Sequence, residues 1–403
     1  MHGSPSQDPE FLASREASMT RPIYLDHQAT TPIDDRVFAA MLPYFREQFG
    51  NPASNSHLYG WEAEAAINQA REKIAGAIGA EPEEIIFTSG ATEANNLAIK
   101  GCAEANMSKG RHIVTVRTEH NAVLDPCRYL ESLGFEVTYL KVDETGLIQI
   151  KELIESLRKD TILVSIMAAN NEIGVLQPIA EIGRICHDRG VYFHTDAAQA
   201  IGKIPLNVRD QNIDLMSLTA HKIYGVKGIG ALYVRRRNPR VAIAAQLHGG
   251  GHERGLRSGT LYPPQIVGMA EAITIAIAEM STESERLTAL RSQLWQAIEP
   301  LGGVTLNGHP TQRLAGNLNV SFDGLNGDRL LRTLQPVVAV SSGSACTSAT
   351  ATPSHVLRAI GRSDSLARAS IRFGLGRFTT IEDIHTVAAH LAKIVPHLRE
   401  ATG

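Results

Sequence analysis

The segment Glu84-Ile85-Ile86-Phe87-Thr88-Ser89-Gly90-Ala91-Thr92-Glu93-Ala94-Asn95-Asn96 passes from a short apolar run, through Ser-Gly, into a helical stretch that reaches Lys100. Ile85 to Thr88 are rich in β-branched and aromatic residues and are bounded by turn formers, the pattern of a buried strand. The same passage recurs downstream. Strands read at His112 to Val116, Glu136 to Leu140, Thr161 to Ile166, Val191 to Thr195, Leu215 to Thr219 and Ala231 to Val234. Helices read at Ala122 to Leu130, Lys151 to Arg158 and Pro178 to Arg189. Such alternation predicts an α/β unit with a mostly parallel sheet and ligand groups at the carboxyl ends of its strands.

The rhythm changes after Pro263-Pro264, where two long helices are expected from Gln265 to Met280 and from Thr282 to Glu299. Beyond Gly302-Gly303, short strands at Asn317 to Phe322, Val337 to Ser341 and Ile371 to Phe373 alternate with helices near Asp328, Ser354 and Ile381. A smaller α+β unit is expected there.

At 403 residues the chain has room for two or three domains at roughly 150 residues each. Hydrophobic residues make up 43% and charged residues 20%, which excludes bulk disorder and fibrous repeats. The net charge of −3 advertises no nucleic acid or anionic membrane as partner. Four cysteines without a CxxC pair argue against a disulfide framework or a zinc ribbon and suit a reducing cytoplasm. The most apolar stretch, Ile266 to Met280, is broken by Glu271 and Glu279, short of the ~20 residues a membrane span needs. Met1 to Ser18 read as a disordered leader or an expression scar.

Five segments hold residue types suited to chemistry. Lys222, in Ala220-His221-Lys222 at the end of an apolar strand, could lose its charge to desolvation and act as a Schiff-base amine. Asp196 leaves a buried strand, where it could pair with a pyridinium nitrogen or simply cap the next helix. Thr88 to Asn96 could bind phosphate at a helix N-terminus or be a plain capping box. Cys346 lies among Ser and Gly in Ser341-Ser342-Gly343-Ser344-Ala345-Cys346, too polar for a core, and is a candidate exposed nucleophile. Cys102, Cys127 and Cys186 sit in helical stretches and read as packing. Arg372, inside Ser370-Ile371-Arg372-Phe373-Gly374, needs a carboxylate, from a structural acid or from an amino-acid substrate.

Together these segments resemble the PLP-dependent cysteine desulfurases of the housekeeping bacterial IscS/NifS type, in the class V aminotransferase family (PLP, pyridoxal 5'-phosphate). The resemblance runs from Tyr24-Leu25-Asp26-His27-Gln28-Ala29-Thr30-Thr31-Pro32 to about Leu398. It is carried further by Phe49-Gly50-Asn51-Pro52-Ala53-Ser54, Thr118-Glu119-His120, Asn170-Asn171-Glu172-Ile173-Gly174, His248 to Gly255, Arg257-Ser258-Gly259-Thr260 and the Cys346 segment.

The fold implied is the PLP-dependent transferase (aspartate aminotransferase-like) α/β fold. Residues 19–34 would pack with the small domain, 35–275 would form the large cofactor-binding domain, and 276–403 the small α+β domain carrying Cys346. Lys222 would bind PLP covalently, His120 stack on its ring, Asp196 pair with its nitrogen and Gln199 bond its phenolic oxygen. Ala91, Thr92, Thr219 and His221 would hold the phosphate, with Thr260 contributed by the second subunit of a homodimer. Asn171 would contact both cofactor and substrate, and Arg372, with Asn51 and Asn171, would grip the carboxylate of L-cysteine. The implied reaction turns L-cysteine into L-alanine and leaves a persulfide on Cys346. The sulfur would pass to an acceptor protein, an iron–sulfur scaffold or a tRNA-thiolation relay.

Three departures stand out. Thr219-Ala220 replaces the family's common Ser-Gly, keeping a hydroxyl and adding a methyl; His27-Gln28 replaces Tyr-Ser; and the chain stops at Gly403, short of the tail with which members often dock a scaffold, which weakens that delivery route. The alternatives are a selenocysteine lyase or other class V PLP enzyme and, from another class, a non-catalytic sulfur-assembly platform.

Overall fold

The computed structural model describes residues 21–342 and 352–400. The leader Met1 to Ser18 and Cys346 therefore lie outside the described residues.

The central sheet has seven strands: β2 (Ile85–Thr88), β3 (His112–Val116), β4 (Glu136–Leu140), β5 (Thr161–Ser165), β6 (Tyr192–Asp196), β7 (Leu215–Thr219) and β8 (Gly230–Val234). Their order across the sheet is β2-β8-β7-β6-β5-β3-β4. Every pairing is parallel except those of β8, which runs antiparallel to both β2 and β7. Residues of β2, β3, β5, β7 and β8 are buried throughout, as expected for strands covered on both faces. The mostly parallel sheet expected from the alternation is present.

Helices α1 (Asp35–Met41), α2 (Pro43–Arg46) and α3 (Leu58–Ile78) precede β2. The connections between strands form α4 (Ala91–Ala105), α5 (Asn121–Ser132), α6 (Ile150–Ser156) and α7 (Ile179–Arg189). One core lies around Ile74, Phe87, Phe193, Met216 and Ile273; another, around Leu97, Ile99, Val123 and Leu215, forms beneath α4 and α5. Cys102, Cys127 and Cys186 are free thiols, buried in α4, α5 and α7.

The two helices expected after Pro263-Pro264 are one helix of 36 residues, α8 (Pro263–Ile298), about 54 Å long. No Gly or Pro lies near Met280 to Thr282, so nothing breaks it. Its first half packs Ile266, Met269 and Ile273 into the large core, and its second half packs Leu287, Leu290, Leu294 and Ile298 into another. The boundary expected between 275 and 276 falls inside this helix.

That last core belongs to a four-stranded antiparallel sheet, β12-β13-β10-β9, made of β9 (Val304–Leu306), β10 (Asn317–Phe322), β12 (Ser341–Ser342) and β13 (Ser370–Gly374). The helices here are α9 (Gly327–Leu334), α10 (His355–Ala359), α11 (Asp364–Arg368) and α12 (Ile381–Glu400). The single strand expected over Val337 to Ser341 is two. β11 (Val338–Ala339) pairs in parallel with β1 (Ile23–Tyr24), and after Val340 the chain joins β13 instead. The N-terminal strand β1 is thus tied to the small sheet's neighbourhood, with Leu25 buried in the same core as Phe322 and Phe373.

Candidate active site

The carboxyl ends of β2, β3, β5, β6 and β7 open on one side of the sheet, where loops position polar groups against a cavity of about 440 Å³. Nine residues expected at the site line it: Ala91, Thr92, His120, Asn171, Asp196, Gln199, Thr219, His221 and Lys222.

Each arrives by local necessity. Gly90, at φ 153°, is a backbone state that L side chains rarely adopt, and it turns β2 into α4. A Cβ on Gly230 would meet the Cα of Gly90 at 2.6 Å, so β8 also needs a glycine where it passes this turn. The N–H groups of Ala91 and Thr92 belong to the first turn of α4, where no helical carbonyl is available to them. His120 caps α5, its Nδ1 accepting from the Ala122 N–H at 3.0 Å. That acceptance places the proton of the neutral ring on Nε2.

Asp196 ends β6 with 6% of its surface exposed. Its Oδ2 accepts from Asn95 Nδ2 at 2.7 Å and its Oδ1 from the Ala198 N–H at 2.9 Å. Asn95, which the sequence reading missed, comes from the middle of α4. It is fully buried, and nothing local in the sequence marks it, because its partner lies 101 residues away.

Lys222 follows β7, its Nζ donating to the Gln28 carbonyl at 2.9 Å. Gln199 Nε2 donates to the same carbonyl at 2.8 Å, and Gln199 Oε1 accepts from Lys203 Nζ at 3.0 Å. His27-Gln28 therefore have roles: the Gln28 backbone anchors the lysine, while His27 Nδ1 bonds the Gly374 carbonyl at 2.8 Å. Thr219 Oγ1 donates to the Ile229 carbonyl at 3.4 Å, and His221 Nδ1 lies 3.1 Å from Thr30 Oγ1. The extra methyl of Ala220 is fully buried and is accommodated by Gly225, where any Cβ would sit 2.7 Å from it.

Arg372 reaches the edge of this site from β13, donating from Nη1 to the Asn171 carbonyl at 2.9 Å. Its carboxylate partner in the folded chain is Asp26, at 2.7 Å from Nη2. Asn51 and Thr260 are not brought to the cavity: both are exposed, and Asn51 Oδ1 accepts from the Ala53 N–H at 2.9 Å.

Burial sets the electrostatics. The His120 pKa is lowered, chiefly by the surrounding protein, with Asp196 opposing and Lys222 adding to the shift. His221 is pushed down to about 4 by burial and then by Lys222, Lys227 and Lys203. Lys203 is brought down to about 7, by desolvation first and the nearby Lys222 second. Lys203 and Lys222 share a second, small cavity of about 40 Å³ with Gln28, Tyr224 and Glu283.

These groups fit a ligand carrying a phosphate, an aromatic ring nitrogen and an aldehyde. Helix N–H groups suit the phosphate, Asp196 the ring nitrogen and Lys222 the aldehyde. Asn171 Oδ1 is buried with no partner among the described residues, a polar atom left for something the protein itself does not supply.

A family model described as Aminotransferase class-V matches residues 23–387. The cysteine desulfurase IscS of Methylococcus capsulatus is 55% identical over 382 residues, covering 95% of this chain and 94% of that protein. The cysteine desulfurase of Homo sapiens is 55% identical over 381 residues, 94% of this chain and 83% of that one. Among solved structures, a NifS-like protein superposes with a TM-score of 0.88 at 39% identity, covering 94% of this chain and all of the other. A structure described as SspA in complex with cysteine gives 0.78 at 40% identity, over 89% of this chain and all of that one.

Proposed function

The chain belongs to the class V aminotransferase family as a cysteine desulfurase of the IscS/NifS type, and on that premise we propose how its own residues divide the work. The observation that carries this reading is the convergence of Lys222, Asp196 and His120 on the cavity at the carboxyl edge of the sheet, beside the α4 N-terminus.

PLP would be held covalently by Lys222, through its phosphate by Ala91, Thr92, Thr219 and His221, and through its ring by His120, Asp196 and Gln199. When bound it supplies the electron sink that acidifies the substrate Cα–H and weakens the Cβ–S bond. Asp196, oriented by Asn95 and the Ala198 N–H, presents its carboxylate to the ring nitrogen. Arg372 and Asn171 bind the carboxylate of L-cysteine and fix its amine toward Lys222. Lys222 Nζ takes the α-proton, and the carbonyl of Gln28 orients that amine when it is free. His120 exchanges a proton at Nε2, the position left by the bond its Nδ1 accepts. Cys346, as thiolate, forms an S–S bond to the substrate sulfur as Cβ–S breaks and leaves its electron pair on the carbon side, and protonation at Cβ and then at Cα yields alanine. Only three residues of sequence separate Cys346 from Ser342, whose strand is hydrogen-bonded to the strand of Arg372.

The active species in this reading is a homodimer in the cytoplasm. Large apolar side chains stay uncovered between Leu42 and Trp61, among them Phe49 at 63% and Leu58 at 61% exposure, with Tyr262 nearby through Phe45. A second copy covering that face would also bring in Thr260 from outside the chain's own cavity. The sulfur would leave Cys346 to an acceptor protein, an iron–sulfur scaffold or a tRNA-thiolation relay.

Cys346→Ser is expected to keep the visible absorption of bound PLP while losing at least a hundredfold in sulfide release from L-cysteine, because the attacking thiolate is gone. Full desulfurase activity in that variant would overturn the assignment.

A further inference from the structure

Arg372 is already partnered before any substrate arrives. Its Nη2 lies 2.7 Å from Asp26 Oδ1 and 2.8 Å from Ser341 Oγ, and the Ser341 hydroxyl donates to the same Asp26 oxygen at 2.8 Å. The two charged side chains are 10% and 19% exposed, so water screens them little. Nη1 is engaged by the Asn171 carbonyl, while Nε is buried without a partner among the described residues. Asp26 itself is held in place by its bridge to Gly374, the last residue of β13.

We propose that Asp26 is a positioning residue that moderates the grip of Arg372 on the carboxylate of the bound amino acid, so that alanine is released. This rests on Arg372 being the carboxylate-binding residue. L-cysteine and L-alanine differ only at Cβ, so any interaction with the carboxylate is made equally by substrate and product. A buried guanidinium with no counter-charge would hold either one strongly, lowering KM and slowing product departure together. Asp26 offsets part of that charge and occupies part of the donor set, and Ser341 fixes which of its oxygens does so.

The test is a titration of holoenzyme with L-alanine, L-cysteine and 2-aminoethanethiol, following the visible absorption of bound PLP, alongside steady-state kinetics. The last probe has the amine and thiol of cysteine without the carboxylate. Asp26→Asn is expected to bind L-alanine roughly fivefold to tenfold more tightly, with a parallel fall in KM for L-cysteine, a lower kcat, and unchanged affinity for 2-aminoethanethiol. Asp26→Glu, which keeps the charge, should restore near wild-type values. Ser341→Ala leaves the Asp26 charge to Arg372 undivided and should weaken alanine binding. Weaker alanine binding by Asp26→Asn, tighter binding by Ser341→Ala, or an equal shift with 2-aminoethanethiol would overturn the proposal. Arg372→Ala binding L-alanine as well as wild type would instead remove the premise about Arg372, whatever Asp26→Asn does.

Discussion

His194 stands in the middle of the sheet with no exposed surface, its two ring nitrogens 2.8 Å from Ser165 Oγ and 3.0 Å from Ser217 Oγ. Burial pushes its pKa down to about 4, and His221, at the edge of the cavity, is depressed to about the same value. An unfolded His titrates near 6.5, so above that pH neither residue distinguishes the folded from the unfolded chain. Below it the unfolded chain takes up protons that the folded one refuses until about 4, and stability falls as pH falls through that window. For His194 the loss is roughly 1.4 kcal/mol per pH unit. Urea unfolding at pH 7, 6 and 5 should show this decline, and His194→Gln should flatten it relative to wild type; parallel slopes for the two proteins would contradict the assignment.

Between elements, the contact that most directly ties α3 to the sheet is a buried ion pair. Arg71, in α3, donates from Nη2 to Glu253 Oε1 at 2.6 Å and from Nη1 to Oε2 at 2.9 Å, while also reaching the Ile85 carbonyl and stacking 4.5 Å over the Phe87 ring. Glu253 Oε2 in turn accepts from the Phe87 N–H at 2.7 Å, so the pair fixes β2, the strand that leads into Gly90 and the α4 N-terminus. Removing one partner leaves the other charge buried, and Arg71→Ala should cost about 3 kcal/mol in urea unfolding. A loss below about 1 kcal/mol would show that the pair carries no such weight.

The sheet's strands were legible because each is a short apolar run closed by turn residues. Helix α3 was not, since much of its buried face is Gly60, Ala63, Ala66, Ala70 and Ala75, small residues that give a faint apolar stripe. Helix α8 read as two because its apolar stripe serves two different cores, and the shift between them mimics a break. Within the site, Lys222 and Asp196 stood out at strand ends. Asn95 and Asp26 did not, because what makes them matter is a partner 101 and 346 residues away, which no local spacing can reveal.

At the scale of the molecule, the site is closed by segments far apart in the sequence. Asp26 and Gln28 come from the segment after β1, Arg372 from β13, and α8 runs through the cores of both units that present them. Among the described residues no helix is long and apolar enough to cross a membrane, and no cluster of His, Cys, Asp and Glu is arranged to hold a metal ion. The large sheet thus carries the residues proposed to hold the cofactor, and the small one carries Arg372, proposed to bind the substrate carboxylate. The most direct test is the visible absorption spectrum of the purified protein with PLP, before and after L-cysteine, with alanine and sulfide quantified in the same sample under a thiol reductant. The account predicts a visible PLP band that shifts on adding L-cysteine, with alanine and sulfide appearing in equal amounts; a PLP band without sulfur release, or no band at all, would contradict it.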